Sequence, residues 1–505
     1  MIARRAALLL MAAMTLPAAA QQAAPGDRKD TSAILDLLPA TSATSHSLPL
    51  PNGALAYTVT AGTLPLRDGT GARTAEIFHV AMSADPPDTS RPVTFLFNGG
   101  PGAASAFLML GGIGPRMVAF GDDGGFLPPP SRLVDNPESW LRFTDLVFVD
   151  PVGTGYSRSA LDEDETGRRF FGVRQDAAAM ASFIRLQLAR TGRALSPVFL
   201  AGESYGGFRA AVLARSLQDE AGVAPSGLIL ISPALDFALL RGDDRALLPL
   251  AVDLPSVAAV NWSRQGITGP ELESRLQQVE RWAFAEYLPA LAAGPDRMPP
   301  AILDRLAEIT GLPGALVAQL RGRIPIGRFV KEYDRAHGRV LSRYDGMIDG
   351  PDPDPASPLA RGPDPVLDRA AAAWTSAFVA YARQELGYAT DLTYRLLAEG
   401  LAEKWDYGTT PSRQGYADAL DDLQNARALL PSLEVLVAHG RTDLVTPYLA
   451  SRYLIDQLPA LPGSAAIELA VYPGGHMMYM NPTARRTLSG DVERLYRRAV
   501  TASPK

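Results

Sequence analysis

Ser204, Asp443 and His476 are the residues whose types can do chemistry together: a hydroxyl, an acid and an imidazole, in that chain order. A serine hydroxyl is a poor nucleophile until a base takes its proton. A histidine can accept that proton near neutral pH and later return it to a leaving group. An acid behind the histidine fixes its tautomer and stabilises the imidazolium. The three predict acyl transfer: Ser204 attacks, His476 carries the proton, Asp443 orients His476.

The surroundings of Ser204 strengthen this reading. Gly202-Glu203-Ser204-Tyr205-Gly206 is a G-x-S-x-G pattern between the apolar run Val198-Phe199-Leu200 and a helix-like stretch from Gly206 to Arg215. Such an elbow puts the serine on a strained turn with its hydroxyl exposed, and aims the next N–H, that of Tyr205, at a developing oxyanion. In a chain with 45 glycines the pattern alone is weak. Its weight comes from the strand before it, the helix after it and the later Asp and His. Five histidines are available: 46, 79, 337, 439 and 476. His476 sits in a glycine-flanked loop after the last apolar run. His439 also ends an apolar run and is the rival base. For Asp443 the plainer reading is a loop-capping acid, while Asp421 and Asp422 lie in a helical run and fit worse. The order Ser, Asp, His is that of α/β-hydrolases, not of chymotrypsin-like or subtilisin-like proteases.

The elements that must position these residues are short buried strands alternating with helices. Residues 92–97, 144–149, 197–200, 228–231, 433–438 and 467–472 are apolar runs, each followed by a loop. Continuous apolar strands of this kind indicate a parallel sheet covered on both faces, with ligands bound beyond the strands' carboxyl ends. Residues 54–80 alternate and predict an antiparallel pair turning at Gly69-Thr70-Gly71. Residues 271–287, 300–310, 368–386 and 391–402 predict helices, and 350–365 a Pro/Asp-rich loop. The expected fold is an α/β-hydrolase: a mostly parallel central sheet, helices on both faces, and a largely helical cap insertion. The expected division is a signal peptide at 1–20, a flexible leader at 21–45, core at 46–237, cap at 238–415, and the second part of the core at 416–505.

Composition narrows the partners. The 505-residue chain has a net charge of −6 and no basic block after its first residues, which argues against nucleic acid or an anionic membrane. Arg4-Arg5, an apolar stretch to Leu16 and Ala18-Ala19-Ala20 form a signal-peptide pattern, predicting a periplasmic or secreted protein without an integral membrane segment after cleavage. No cysteine is present, so thiol catalysis and Cys-held metals are excluded. No metal or cofactor is expected. The expected partner is a peptide or a small acyl substrate.

Five segments resemble the serine carboxypeptidase family, as an exported member of bacterial type. They are Asn98-Gly-Gly-Pro-Gly-x-x-Ser105, Val149-Asp-Pro-Val-Gly-Thr-Gly-Tyr-Ser157, the Ser204 elbow, Gly440-Arg-Thr-Asp443 and Gly475-His-Met477. The resemblance implies oxyanion N–H groups from Gly100 and Tyr205. It also implies recognition of the substrate's C-terminal carboxylate by Asn98 and Glu203, and a leaving-group wall at Met477. For Asn98 and Glu203 the plainer reading is turn stabilisation. The chain departs from the family at Ala103, where a cysteine is usual, and at Gly112, where an acid usually pairs with the one matching Glu203. Without that acid, like-charge repulsion does not raise Glu203, and the expected pH optimum moves toward neutrality. Arg116 and Arg209 could hold a carboxylate instead, although a surface ion pair is the plainer reading of each. The implied activity is a serine carboxypeptidase. An esterase, acyltransferase or aminopeptidase on the same fold is the alternative, and a non-catalytic binding protein the third.

Overall fold

A computed structural model describes residues 33–121, 124–240, 245–408 and 417–501. Six strands run parallel at its centre, buried except for the half-exposed edge strand β9: β4 (Val93–Phe97), β5 (Asp145–Val149), β6 (Val198–Glu203), β7 (Pro225–Ile231), β8 (Glu434–Gly440) and β9 (Ile467–Tyr472). Their side chains alternate between two cores. Phe95, Val147, Leu200, Leu230 and Val437 face one; Leu96, Phe148, Ala201, Ile231 and Ala438 face the other. Burial on both faces is why these strands read as unbroken apolar runs. Helices α1 (Val173–Arg190) and α2 (Tyr205–Ser216) cover the first face, and the C-terminal α7 (Pro482–Thr501) packs on the second.

On the β5 side the sheet continues antiparallel through β3 (Arg73–Ala84), β2 (Leu55–Arg67) and β1 (Ser42–Leu48), giving the order β1-β2-β3-β5-β4-β6-β7-β8-β9. The β2–β3 turn at residues 68–72 is held by Asp68, whose Oδ1 accepts the N–H groups of Thr70 and Ala72. The leader corrects one expectation. Rather than flexible coil to residue 45, Ala33–Leu37 forms a 3-10 turn with Leu35 buried, and β1 pairs with β2 from Ser42 opposite Ala61 to Leu48 opposite Leu55. Before Leu48 this edge strand is half-buried or exposed at every residue, so a Ser/Thr-rich sequence suffices. The signal-peptide segment and the leader up to residue 32 lie outside the described residues.

Between β7 and β8 lies a region of many helices. Its first part has its own apolar core, built by α3 (Leu247–Arg264), α4 (Gly269–Trp282) and α5 (Pro300–Thr310). The later α6 (Leu367–Gln384) packs Trp374, Phe378 and Tyr381 into the core of the second sheet face. The helix expected over 391–402 forms only at Leu401–Lys404. The preceding residues pair their backbone with loops at the sheet edge: Leu396 O accepts from Ala104 N–H at 2.8 Å, and Arg395 O from Gly155 N–H at 2.8 Å. Conversely, α3 carries no sequence signal, because it is buried almost all round and contains Pro255. No helix among the described residues is long and apolar enough to cross a membrane.

The carboxyl ends of β4, β6, β7, β8 and β9 deliver Asn98, Ser204, Ser232, Asp443 and His476 to one edge of the sheet. The tightest point there is the β6–α2 junction, where a Cβ on Gly202 would lie 1.9 Å from the Gly206 carbonyl oxygen. Gly202→Ala should therefore cost ~3 kcal/mol or more. Gly222→Ala, at φ 65° with open space around it, should cost only ~1–2 kcal/mol. Urea denaturation of both variants checks the difference, and equal losses would contradict it.

Candidate active site

Ser204 joins β6 to α2 with φ 60° and ψ −123°, a conformation that a non-glycine residue holds only when its surroundings impose it. Its N–H donates to Ile231 O at 2.9 Å, and its carbonyl accepts from Gly207 N–H at 3.0 Å. The loop after β4 closes on the same turn. A Cβ on Gly99 would lie 2.7 Å from both Ser204 Cβ and Tyr205 N. Gly100, at φ 99°, follows directly. Tyr205 opens α2, so its N–H has no partner inside the helix. Gly100, Ser204, Tyr205 and His476 all line one cavity of about 800 Å³.

His476 Nδ1 lies 2.9 Å from Asp443 Oδ2, and both side chains are buried. Asp443 also accepts the N–H groups of Val445 and Thr446 and the Thr446 hydroxyl. Burial alone would raise Asp443, but His476 and these donors hold it below the usual carboxylate range. Burial alone would lower His476, but the charge and hydrogen bond of Asp443, with Glu203 beyond, raise it above the ordinary imidazole value. The rival His439 is also buried, and its Nε2 is 2.8 Å from Ser451 Oγ. Burial pushes it down to about 4. Asp422 pairs with Arg174 at 2.9 Å, on the helix Leu420–Leu429 that also carries Asp421.

Residues not singled out in the sequence hold the histidine loop. The His476 N–H donates to Tyr344 O at 2.6 Å, and the Tyr344 ring stands edge-on to the imidazole. Ser232 Oγ donates to His476 O at 2.9 Å. Tyr344 comes from the region between β7 and β8 and Ser232 from the end of β7, so no local spacing ties either to His476.

Glu203, Asn98 and Met477 also line the cavity. Burial pushes the Glu203 carboxyl up to about 7; His476 and the Tyr479 hydroxyl oppose this, and the charge of Asp443 adds to it. The Tyr479 hydroxyl donates to Glu203 Oε2. Space for Tyr479 exists because Gly111 lacks a side chain: a Cβ there would meet the ring at 2.4 Å. A Cβ on Gly112 would come within 2.7 Å of Arg485 Cδ and 3.3 Å of Tyr479 O. A tyrosine hydroxyl thus stands beside Glu203, and the absent acid at Gly112 leaves no gap. Its signal lay three residues past His476.

Asn98 Oδ1 accepts the Leu108 N–H at 3.0 Å, so its carboxamide also braces the loop. Arg209 corrects the expectation of a surface ion pair. It is fully buried, with Nε 2.5 Å from Asp176 Oδ2 and Nη1 donating to Asn98 O at 2.8 Å. Arg116 is an ion-pair residue at the rim of the fold, bonded to Asp135 and Glu385. Among the described residues, no group of three acids or histidines is placed to hold a metal ion.

Removing one partner of a buried pair strands the other charge. Arg209→Met should cost ~3–5 kcal/mol in urea denaturation. Pairing it with Asp176→Leu should recover part of that loss, and a double variant worse than the single would contradict this role.

The family model described as serine carboxypeptidase matches residues 58–224, and one described as α/β-hydrolase fold matches residues 168–318. A pheromone-processing carboxypeptidase of Yarrowia lipolytica is 35% identical over 176 residues, covering 34% of this chain and 26% of that protein. A carboxypeptidase Y homolog of Arthroderma benhamiae is 27% identical over 199 residues, covering 38% of this chain and 34% of that protein. The chain thus spans a quarter to a third of the length of these relatives. Among solved structures, a peroxisomal α/β-hydrolase of Saccharomyces cerevisiae aligns over 92% of this chain and 90% of its own, at TM-score 0.38 and 12% identity. The chain has the α/β-hydrolase fold, and over residues 58–224, from β2 past the Ser204 elbow, it matches the serine carboxypeptidases.

Proposed function

We propose that the chain is an exported serine carboxypeptidase that cleaves peptide bonds through an acyl-enzyme on Ser204. The observation that carries this reading is the convergence of Ser204 and the His476–Asp443 pair on one cavity that also contains Glu203. In the proposed reaction His476 takes the Ser204 proton as Oγ attacks the scissile carbonyl. The N–H groups of Gly100 and Tyr205 receive the oxyanion. His476 then protonates the departing amine, and water, deprotonated by the same imidazole, releases the acyl group. Asn98 and protonated Glu203 bind the substrate's C-terminal carboxylate, and Met477 lines the leaving-group side. On this reading residues 1–20 are the export signal, residues 238–415 form the cap, and 42–237, which takes in β1, with 416–505 are the two parts of one core.

A peptide library incubated with the enzyme, with products read by mass spectrometry, tests the proposal. Removal of single residues from the C-terminus is expected. N-terminal trimming would assign an aminopeptidase. Cleavage of esters alone would assign an esterase, and transfer of the acyl group to an added alcohol in place of water an acyltransferase. No reaction at all would assign a binding protein. Ser204→Ala and His476→Ala should each lower turnover ~10⁴-fold or more, and the double variant little further, because the two act as a unit.

The charge states give a pH prediction. His476 must be neutral to act as base, and Asp443 holds it above the ordinary imidazole value, so kcat/KM rises with pH as His476 loses its proton. Glu203 loses its proton at about 7, and an ionised Glu203 repels a substrate carboxylate. Peptides with a free C-terminus should therefore pass through an optimum and fall as Glu203 ionises, while matched amides or esters rise to a plateau. Glu203→Gln should remove the descending limb. Identical profiles for the free-acid and amide substrates would contradict the role given to Glu203.

A further inference from the structure

The cavity contains a second acid that the proposed chemistry does not use. Asp253 lies on α3, between the buried Val252 and Leu254, and lines the same cavity as Ser204. It is open only in part, and what is open faces this cavity. Among the described residues nothing donates a hydrogen bond to Asp253 and no cation pairs with it. Three other acids with buried side chains pair with cations: Asp145 with Arg91 and Arg193, Asp176 with Arg209, and Asp352 with Lys331. Asp150 has no cation, but its Oδ1 accepts the N–H and hydroxyl of Ser105 and it does not line the cavity. The nearby Tyr287 hydroxyl donates instead to Gly322 O at 2.7 Å. Arg323 and Arg343 also line the cavity, but neither forms an ion pair with Asp253; burial raises its carboxyl to about 8.

We infer that Asp253 is a cation subsite in the cap half of the cavity, and that the substrates taken best carry a guanidinium or ammonium side chain. A deep carboxyl without a partner is costly to ionise, and an entering cation supplies the missing partner. A neutral isostere leaves the acid protonated and gains only a neutral hydrogen bond. An anionic side chain meets repulsion. The helix that carries Asp253 is otherwise apolar along this stretch, with Ala251, Val252, Leu254 and Val257 buried. The acid thus has a ligand-facing position and no structural partner in its own helix.

The inference rests on the peptidase reading only for the peptide as carrier of the charge, so the test reads binding rather than turnover. Ser204→Ala protein is titrated calorimetrically with peptide pairs in which arginine is exchanged for citrulline, at the last or the penultimate position. At one of these positions arginine should bind about tenfold tighter or better. In Asp253→Asn and Asp253→Leu, each added to Ser204→Ala and checked for folding by thermal melting, the preference should fall to about twofold or less. Asp253→Glu should keep it. Equal affinities for arginine and citrulline, a preference that survives both Asn and Leu, or no arginine-peptide binding would overturn the inference. A parent enzyme that binds arginine peptides selectively but releases no amino acid would overturn the peptidase reading and leave the subsite standing. Turnover with no arginine preference would do the reverse.

Discussion

The site depends on how closely β6 and α2 approach each other at Ser204. The Gly206 carbonyl lies 1.9 Å from where a side chain on Gly202 would begin, and a Cβ on Gly206 would lie 2.3 Å from Phe97 O. Only backbone fits in that space. The crowding forces Ser204 to φ 60° and leaves the Tyr205 N–H at the free start of a helix. It also seats the Gly99-Gly100 loop against the serine. One steric constraint thus exposes a hydroxyl and brings two stretches of backbone N–H groups around it. The strain at Ser204 is sustained by the two-sided burial of the parallel strands on either side.

Electrostatics then sort the buried charges by partner. Asp443 has His476 and three donors and stays ionised. Glu203 has one phenol and a buried position, and its carboxyl rises to about 7. Two acids near one imidazole therefore differ in charge near neutral pH, which is how carboxylates in one site acquire separate tasks. Arg209 works a layer below, joining Asp176 on α1 to the carbonyl of Asn98 through a guanidinium that no solvent reaches. The loop that carries Asn98, Gly99 and Gly100 is thereby tied to the helices behind the sheet.

Much of this was legible in the sequence, for identifiable reasons. Five of the parallel strands could be read because burial on both faces leaves them almost continuously apolar; the edge strand β9 is half-exposed and carries Glu468, yet keeps an apolar run after it. Ser204, Asp443 and His476 could be singled out because each follows such a strand in a short loop. The helix α3 could not, since near-complete burial erases the polar stripe that marks a surface helix. Residues 391–400 carry apolar spacing but spend their backbone hydrogen bonds on the loops near Ala104 and Gly155. Strand β1 is polar enough to pass for leader. In the site, Tyr344, Ser232 and Arg209 reach their partners across long stretches of chain, and no local pattern marks them. Gly112 reads as a missing acid, and Tyr479 lies only three residues past His476, but its place beside Glu203 shows only in three dimensions.

The central claim is that Ser204 is a nucleophile activated by His476. Covalent labelling with a fluorophosphonate, followed by proteolysis and mass spectrometry, measures it most directly. One phosphonate adduct is expected, on the peptide containing Ser204. Its rate of formation should rise with pH through the His476 titration and be nearly abolished in His476→Ala. A label elsewhere, or labelling of Ser204 that is indifferent to His476, would contradict the account.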